Sequence, residues 1–337
     1  MVIGLVVVLL LTLLMPILSK KVEQNLEAFL LIMGLSASII SGVLSMELIA
    51  EIFQNKFMYM ITVAVFAGGM IFKAFNTKFL SAVQILIDRT SLKLVVFLAI
   101  IVLGLVSSII TAIIASLLLV EIINVLPMSR KDKIHIAIVA CFSIGLGASL
   151  TPVGEPLSTV VVSKLNVGFW FLFQQLGVLI VPGIFALGII GIFFAKKDLA
   201  EKDADSKTED ETYRTILVRT AKIFIFVIAL ELLGRGFKVF IDLYVIKLDS
   251  QLLYWVNIIS AVLDNATLAS AEISAKMSLI QIKSVLIGLL ISGGMMIPGN
   301  IPNIISADRL KIRSSEWAKL GIPLGLVIMI VYYIILF

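Results

Sequence analysis

Cysteine and histidine are almost absent from this chain of 337 residues, which holds one of each, Cys141 and His135. A single cysteine excludes a disulfide framework, and the two residues together are too few for a zinc or haem site. Cys141 reads as a small packed residue, and His135, just after a basic loop, as an interfacial side chain. The sequence has no HExxH or GxSG motif, no ATP-binding loop and no filter-like repeat of backbone carbonyls. Metal-dependent or nucleophilic hydrolysis, ATP-driven pumping and selective channel conduction all lose their usual signatures, and no enzyme activity or cofactor is expected. Charged residues make up only 15% of the chain, and its one extended hydrophilic stretch is 196–214, KKDLAEKDADSKTEDETYR.

What fills the chain instead is hydrocarbon. Hydrophobic residues reach 60% and the mean hydropathy is +1.14, whereas soluble domains hold nearer half apolar residues. Long, nearly uncharged runs occur at 2–18, 168–195 and 322–337, of the length that crosses a bilayer core as helix. Lipid offers the backbone no hydrogen bonds, so the fold class is an all-α polytopic membrane protein. The formal charge of +5 lies in short loops between apolar runs. There it reports topology and is not a nucleic-acid footprint.

Loop by loop, the excess of Lys and Arg on the cytoplasmic side orients the chain. Segment 2–18 lacks a basic lead-in, and Lys20 and Lys21 follow it. It is read as a retained helix with its N-terminus outside, not as a cleaved signal peptide. Helix 26–44 returns, 45–56 is an external loop, and helix 57–72 goes back in. Residues 73–91 space Lys78, Asp88 and Arg89 among Phe75, Phe79, Val83 and Leu86, as an amphipathic helix lying in the interface does.

Residues 92–126 would be about 52 Å long as one helix, against a hydrocarbon core of about 30 Å. Basic loops flank them on both sides, and Ser107, Ser108 and Thr111 sit at their centre. Both ends on one side with a polar middle predicts a re-entrant hairpin; the alternative is a single long tilted helix. Residues 134–165 then cross, broken at 149–156, and helix 168–195 returns to the linker 196–214, which is a flexible cytoplasmic connection. Helix 215–233, interfacial segment 234–249, hairpin 250–278 with its tip at 264–267, a helix broken at 295–303, and helix 316–336 ending outside complete the chain.

The second half thus repeats the first. Thr111 matches Thr267, and both halves carry glycine, four residues, proline, three residues, proline: Gly147, Pro152 and Pro156, then Gly293, Pro298 and Pro302. The domain reading is two N-terminal helices in 1–56, a first unit in 57–195, the linker, and a second unit in 215–337 of inverted topology. Each unit runs helix, interfacial helix, re-entrant hairpin, broken helix, helix. Paired interruptions of this kind point to the binding site of a secondary transporter.

The tips and breaks carry chemistry that lipid forbids. Asp264 and Asn265 stand in an apolar stretch, where a carboxylate costs roughly 2.5–3.5 kcal/mol and persists where it has a partner or a role. The Ser, Thr, Asn and Gly residues around them add oxygen ligands suited to hard cations. Glu155 is open to two readings, an ion ligand or an N-cap carboxylate for the helix after Pro156; Asp264 is open to a structural role at its tip. Glu121, Glu231 and Glu272, near helix ends, are read as interfacial or paired.

Paired polar-tipped hairpins, each followed by a proline-broken helix, resemble the ion transporter superfamily, which includes dicarboxylate/sodium symporters, arsenite permeases and D-type sodium/proton antiporters. The phrases TPVGEPLS, LDNAT and PGNIPN are most similar to a compact prokaryotic family of cation-transporter type. The resemblance covers about residues 57–337 and implies a plasma-membrane protein, a homodimer, and sites formed by the tip and break of the same repeat. Carried over, one site holds Ser107, Ser108, Thr111 and Glu155, and the other Asp264, Asn265, Thr267, Asn300 and Asn303. The dicarboxylate carriers lack an acidic residue at the tip, whereas the Asp-Asn pair is similar to the D-type antiporters. The function expected is therefore secondary active cation transport, with sodium and protons competing for the carboxylates and the lipid bilayer and an inorganic cation as partners. The alternative is sodium-coupled uptake of a small anion; a channel and an intramembrane enzyme rank behind both.

Overall fold

The computed structural model describes residues 1–19, 21–22, 25–56, 89–197, 212–240, 247–261 and 265–337, with isolated residues between 58 and 85. Among the described residues the chain forms fourteen α-helices and no strand. The first three are α1 (Val2–Leu18), α2 (Leu26–Ile40) and α3 (Met46–Gln54). Next come α4 (Leu92–Ile110), α5 (Ala112–Val125), α6 (Arg130–Ala148), α7 (Pro156–Leu165) and α8 (Phe171–Phe194). Then follow α9 (Tyr213–Phe240), α10 (Ser250–Val256), α11 (Asn265–Glu272), α12 (Leu279–Gly293), α13 (Ile301–Arg309) and α14 (Ser314–Leu336), with short 3-10 segments at Asn257–Ala261 and Ile297–Gly299.

Three of these helices, α4, α8 and α14, are long and apolar enough to cross a membrane. The longest, α8 with 24 residues, spans about 36 Å at 1.5 Å per residue. Their outward faces carry large apolar side chains such as Val178, Phe193, Val327 and Ile334, which water would not tolerate in such density and lipid does. The protein is a helical membrane protein.

At the centre lie α6 and α12. Almost every residue of α6 from Ile134 to Ala148 is buried, and so is nearly all of α12 from Ile282 to Gly293. A helix buried all round belongs to the middle of a bundle. Helices α4 and α8 cover α6 on one side, and α10 and α14 pack on α12. The closest approach is where α4 crosses α6: a Cβ on Gly147 would lie 1.7 Å from the carbonyl oxygen of Gly104. Only hydrogen fits there, and such contacts draw two membrane helices together. Helices α1 and α2 stand apart from this core and pack against α9 around Leu5, Leu30, Ala37, Ala229 and Leu233. The Ser38 hydroxyl there donates to the Leu232 carbonyl at 2.9 Å.

Local chemistry sets the boundaries. Ser91, Ser129 and Ser278 cap α4, α6 and α12, each accepting from a backbone N–H in the first turn. Thr111 separates α4 from α5 with φ 78° and ψ 149°, so 92–126 is two helices in contact and not one long helix. Pro156 opens α7 at a position where a missing N–H costs nothing.

Three expectations change. Residues 45–56, read as a loop, contain α3, capped by Ser45 and held down by buried Leu48 and Ile52. Its apolar residues recur at helical spacing, and the flanking Glu47 and Glu51 hid that pattern. Helix 26–44 stops at Ile40, where Gly42 takes a left-handed turn. Helix 215–233 does not end before an interfacial segment but runs on as α9 to Phe240. Most of 57–91, residues 198–211 of the linker and residues 241–246 lie outside the described part.

Gly147→Ala should destabilise the detergent-solubilised protein by on the order of 3 kcal/mol, because the Gly104 carbonyl cannot move without parting two helices. Gly177→Ala is the control, since its Cβ would meet nothing nearer than 3.7 Å. Equal melting temperatures for the two variants would contradict the close crossing.

Candidate functional site

Both central helices stop inside the protein and resume beyond a polar turn. In the first, α6 ends at Ala148 and the chain passes through Thr151, Pro152 and Gly154 before α7. In the second, α12 ends at Gly293, and a 3-10 turn through Pro298 leads to α13. A helix end leaves backbone groups unpaired, and inside a membrane protein they must find partners within the chain.

Those partners fasten the first break to the turn between α4 and α5, and close the second mainly on itself. The Ala112 N–H at the first tip donates to the Gly154 carbonyl at 2.8 Å, and the Thr151 hydroxyl donates to the Ser108 carbonyl. The Thr159 hydroxyl closes the turn on the Pro152 carbonyl at 2.5 Å. In the second half the backbone of Gly299 lies so near Ser260 that a Cβ would come within 2.4 Å of its carbonyl oxygen. The carbonyls beyond α12 are taken by side chains. Asn303 Nδ2 donates to Gly293 and Met296, each at 2.8 Å, and the buried Trp317 indole donates to Gly294 at 3.1 Å.

Beyond its break, each short helix packs on the other half. α13 lies against α5 and α6, and α7 lies against α11. Asn300, the residue before α13, reaches α6: a Cβ on Gly145 would be 2.4 Å from its Nδ2. Cys141 on α6 donates its weak S–H toward the Pro302 carbonyl at 3.4 Å. The second break thus lies against the last turns of α6, at Gly145 and Cys141.

The predicted site residues divide into three groups. Ser107 donates to the Gly104 and Ile144 carbonyls at 2.6 and 3.1 Å, Ser108 to Leu105 at 2.8 Å, and Thr111 accepts from the Ile114 N–H at 3.5 Å. Their hydroxyls hold the first tip together while keeping oxygen lone pairs. Thr111 does so at positive φ, a costly conformation for a β-branched residue, and such strain gathers at functional sites. Glu155, Asn265, Asn300 and Asn303 are all at most 4% exposed. Glu155 stands at the N-cap of α7, yet its side chain makes no capping hydrogen bond, so the capping role weighed for it is not the one it plays here. Asp264 and the side chain of Thr267 lie outside the described residues.

Among the described residues, Asn300 Oδ1, Asn303 Oδ1, Asn265 Nδ2 and Ser158 Oγ are buried polar atoms with no hydrogen-bond partner. Such atoms are rare in folded proteins and call for an explanation. Three of the four are oxygens, and oxygens of this kind, like the Glu155 carboxylate, are ligand types that suit a hard cation. Ser158 went unnoticed in the sequence, although it lies three residues after Glu155 and so on the same face of α7. Asn257 and Glu272 were missed as a pair: Asn257 Nδ2 donates to Glu272 Oε2 at 2.9 Å. The reading of Glu231 and Glu272 as paired acids holds, since Glu231 accepts from Asn55 at 3.0 Å.

The start of α6 meets the end of α13. Arg130 donates to the Lys311 carbonyl at 2.9 Å and lies 3.4 Å from the Glu316 carboxylate. At the other pole, Lys164 near the end of α7 places its ammonium on the Ser270 and Ile273 carbonyls, just ahead of α12.

The model of the family described as Protein of unknown function (DUF1646) matches residues 2–337. No curated protein matches the chain.

Asn303→Ala should lower stability by about 1–3 kcal/mol, the cost of leaving buried carbonyls unsatisfied. Asn303→Asp, which replaces the amide donor by an acceptor, should cost at least as much. Glu155→Gln removes no capping bond and should melt within a degree or two of wild type, on the order of a few tenths of a kcal/mol. A large loss for Glu155→Gln with none for Asn303→Ala would reverse this assignment.

Proposed function

The chain belongs to the DUF1646 family, and we propose that it is a secondary active cation transporter, exchanging sodium for protons by alternating access. One observation carries the reading. The segment of α6 and α7 and that of α12 and α13 join the same two ends in opposite order, Arg130 reaching Lys311 and Lys164 reaching Ser270, and among the described residues buried oxygens at or next to both breaks have no hydrogen-bond partner. Opposed broken helices with a polar junction at mid-depth suit a site reached alternately from either side.

The proposed architecture is a pair of inverted repeats. In it α4 and α5 correspond to α10 and α11 as re-entrant hairpins, α6 and α7 to α12 and α13 as broken helices, and α8 to α14. The contacts support this correspondence, since α7 packs on α11 as α13 packs on α5. The positive-inside rule then places the Arg130–Lys311 pole in the cytoplasm and the Lys164–Lys276 pole outside.

Chemically, the Glu155 carboxylate beside Ser158 and the Asn300 and Asn303 oxygens would bind a dehydrated monovalent cation, and Asp264 with Asn265 would serve at the second tip. An ionised carboxylate is costly at this depth until a proton or a cation neutralises it. Either ion therefore permits the conformational change, and the empty charged form resists it, which couples the two fluxes without ATP.

Purified protein in liposomes with an imposed sodium gradient should move protons in the opposite direction. Glu155→Gln should weaken apparent sodium affinity and change the pH profile of exchange, and Asp264→Asn should abolish exchange in a folded protein. Sodium-driven uptake of a small dicarboxylate without proton counterflow would overturn the antiport reading. Wild-type exchange in Asp264→Asn would confine that residue to a structural role.

A further inference from the structure

The second hairpin holds an acid that the exchange site above does not use. Glu272 ends α11, and the limb opposite tightens from α10 into the 3-10 segment beginning at Asn257. The Asn257 side chain bridges the two limbs. It is fully buried, and its Nδ2 donates both to Glu272 Oε2 at 2.9 Å and to the Leu253 carbonyl at 2.8 Å. Its Oδ1 has no hydrogen-bond partner among the described residues. Ser292 of α12 fixes the same residue from behind, donating to the Asn257 carbonyl at 2.6 Å.

We propose that Glu272, oriented by the Asn257 amide, is a proton-binding carboxylate of the second hairpin, loaded from the pocket beside it. That pocket, of about 290 Å³, is lined by Ile273, Ser274 and Lys276 directly after Glu272, and by Lys164, Glu231 and Arg235 opposite. The binding step is simple: a proton leaves hydrated solvent in the pocket and forms an O–H bond on one Glu272 carboxylate oxygen, neutralising it. Release reverses the step. A half-turn of the amide offers the acid the Oδ1 acceptor, at the loss of the bond to Leu253, so the same side chain accommodates both charge states.

The charges on the elements packed against Glu272 are of both signs. From α7 comes Lys164, whose ammonium lies on the carbonyls of Ser270 and Ile273, and from α9 come Glu231, Arg235 and Lys238. Arg235 is 3.3 Å from Glu51, and Glu231 accepts from Asn55. On α12 the ionisable residue is Lys283, and Lys276 follows on the hairpin itself. The Asn257 N–H donated to Glu272 Oε2 stabilises the ionised acid. The proposal rests on the transport reading for its place in a cycle, but proton binding at Glu272 is measurable without transport.

The test is infrared difference spectroscopy of the purified full-length protein in nanodiscs, titrated from alkaline to acid pH, with proton-coupled exchange followed in parallel. Wild type should gain a protonated-carboxyl band that Glu272→Gln lacks, and in Asn257→Ala that band should rise at higher pH, because the donor favouring the ionised acid is gone. Where wild type exchanges ions, Glu272→Gln should shift the pH profile of exchange, leaving the part of that dependence set by Glu155 and Asp264. Identical carboxyl bands in wild type and Glu272→Gln would overturn the proposal while leaving the exchange reading standing. A band lost in Glu272→Gln, together with no wild-type exchange, would keep the proton site and remove the exchange reading. Should Glu272→Gln fail to fold, an unshifted band in Asn257→Ala would count against the proposal by itself.

Discussion

A peptide group in hydrocarbon has no water to bond with, and α6 and α12 both leave such groups where they end inside the protein. Everything about the centre of this protein follows from where those groups find partners. The first break is tied to the turn between α4 and α5 by Ala112 and Thr151 and closed on itself by Thr159, and the second is closed by Asn303 and Trp317. Each unsatisfied group would cost about 1–3 kcal/mol, so these few side chains decide whether interrupted helices can exist at depth at all. The same requirement selects small residues at the crossings. Gly147 lets α4 close on α6, and Gly145 leaves the space that Asn300 enters.

An interruption that is fully stitched would be inert. Among the described residues the stitching is incomplete: the amide of Asn303 is used through its nitrogen, and its oxygen has no partner there, nor has that of Asn300. The side chains that repair the backbone are therefore also those that present oxygens to the interior. α7 and α13 each pack on the opposite half, so in the proposed exchange a cation held at these oxygens would act on both halves; a neutralised site would let them move, and a charged, empty one would hold them.

Much of this was legible in the sequence. The helical membrane class followed from hydropathy, and the two breaks were marked by their prolines. The interruption in 92–126 fell at its polar middle, where Thr111 divides α4 from α5. What escaped notice has common causes. α3 carries too many acids to look like a membrane element, although its buried face is only Leu48 and Ile52. The partnership of Asn257 with Glu272 joins two limbs of a hairpin, and contacts across a fold leave no local pattern. The crossing of α13 onto α6 is of the same kind: nothing in PGNIPN announces that Asn300 lies on Gly145. Glu155 shows the reverse failure, since its position before Pro156 is that of a helix cap while its side chain makes no capping bond.

The central claim is that the two broken helices run in opposite directions through one membrane. Single cysteines at Ser129 and Ser278, the residues that open α6 and α12, test it most directly in a Cys141→Ala background, with a membrane-impermeant thiol reagent applied to intact cells and to inverted vesicles. Ser129→Cys should react only in inverted vesicles and Ser278→Cys only in intact cells. Reaction of both from the same side would contradict the account.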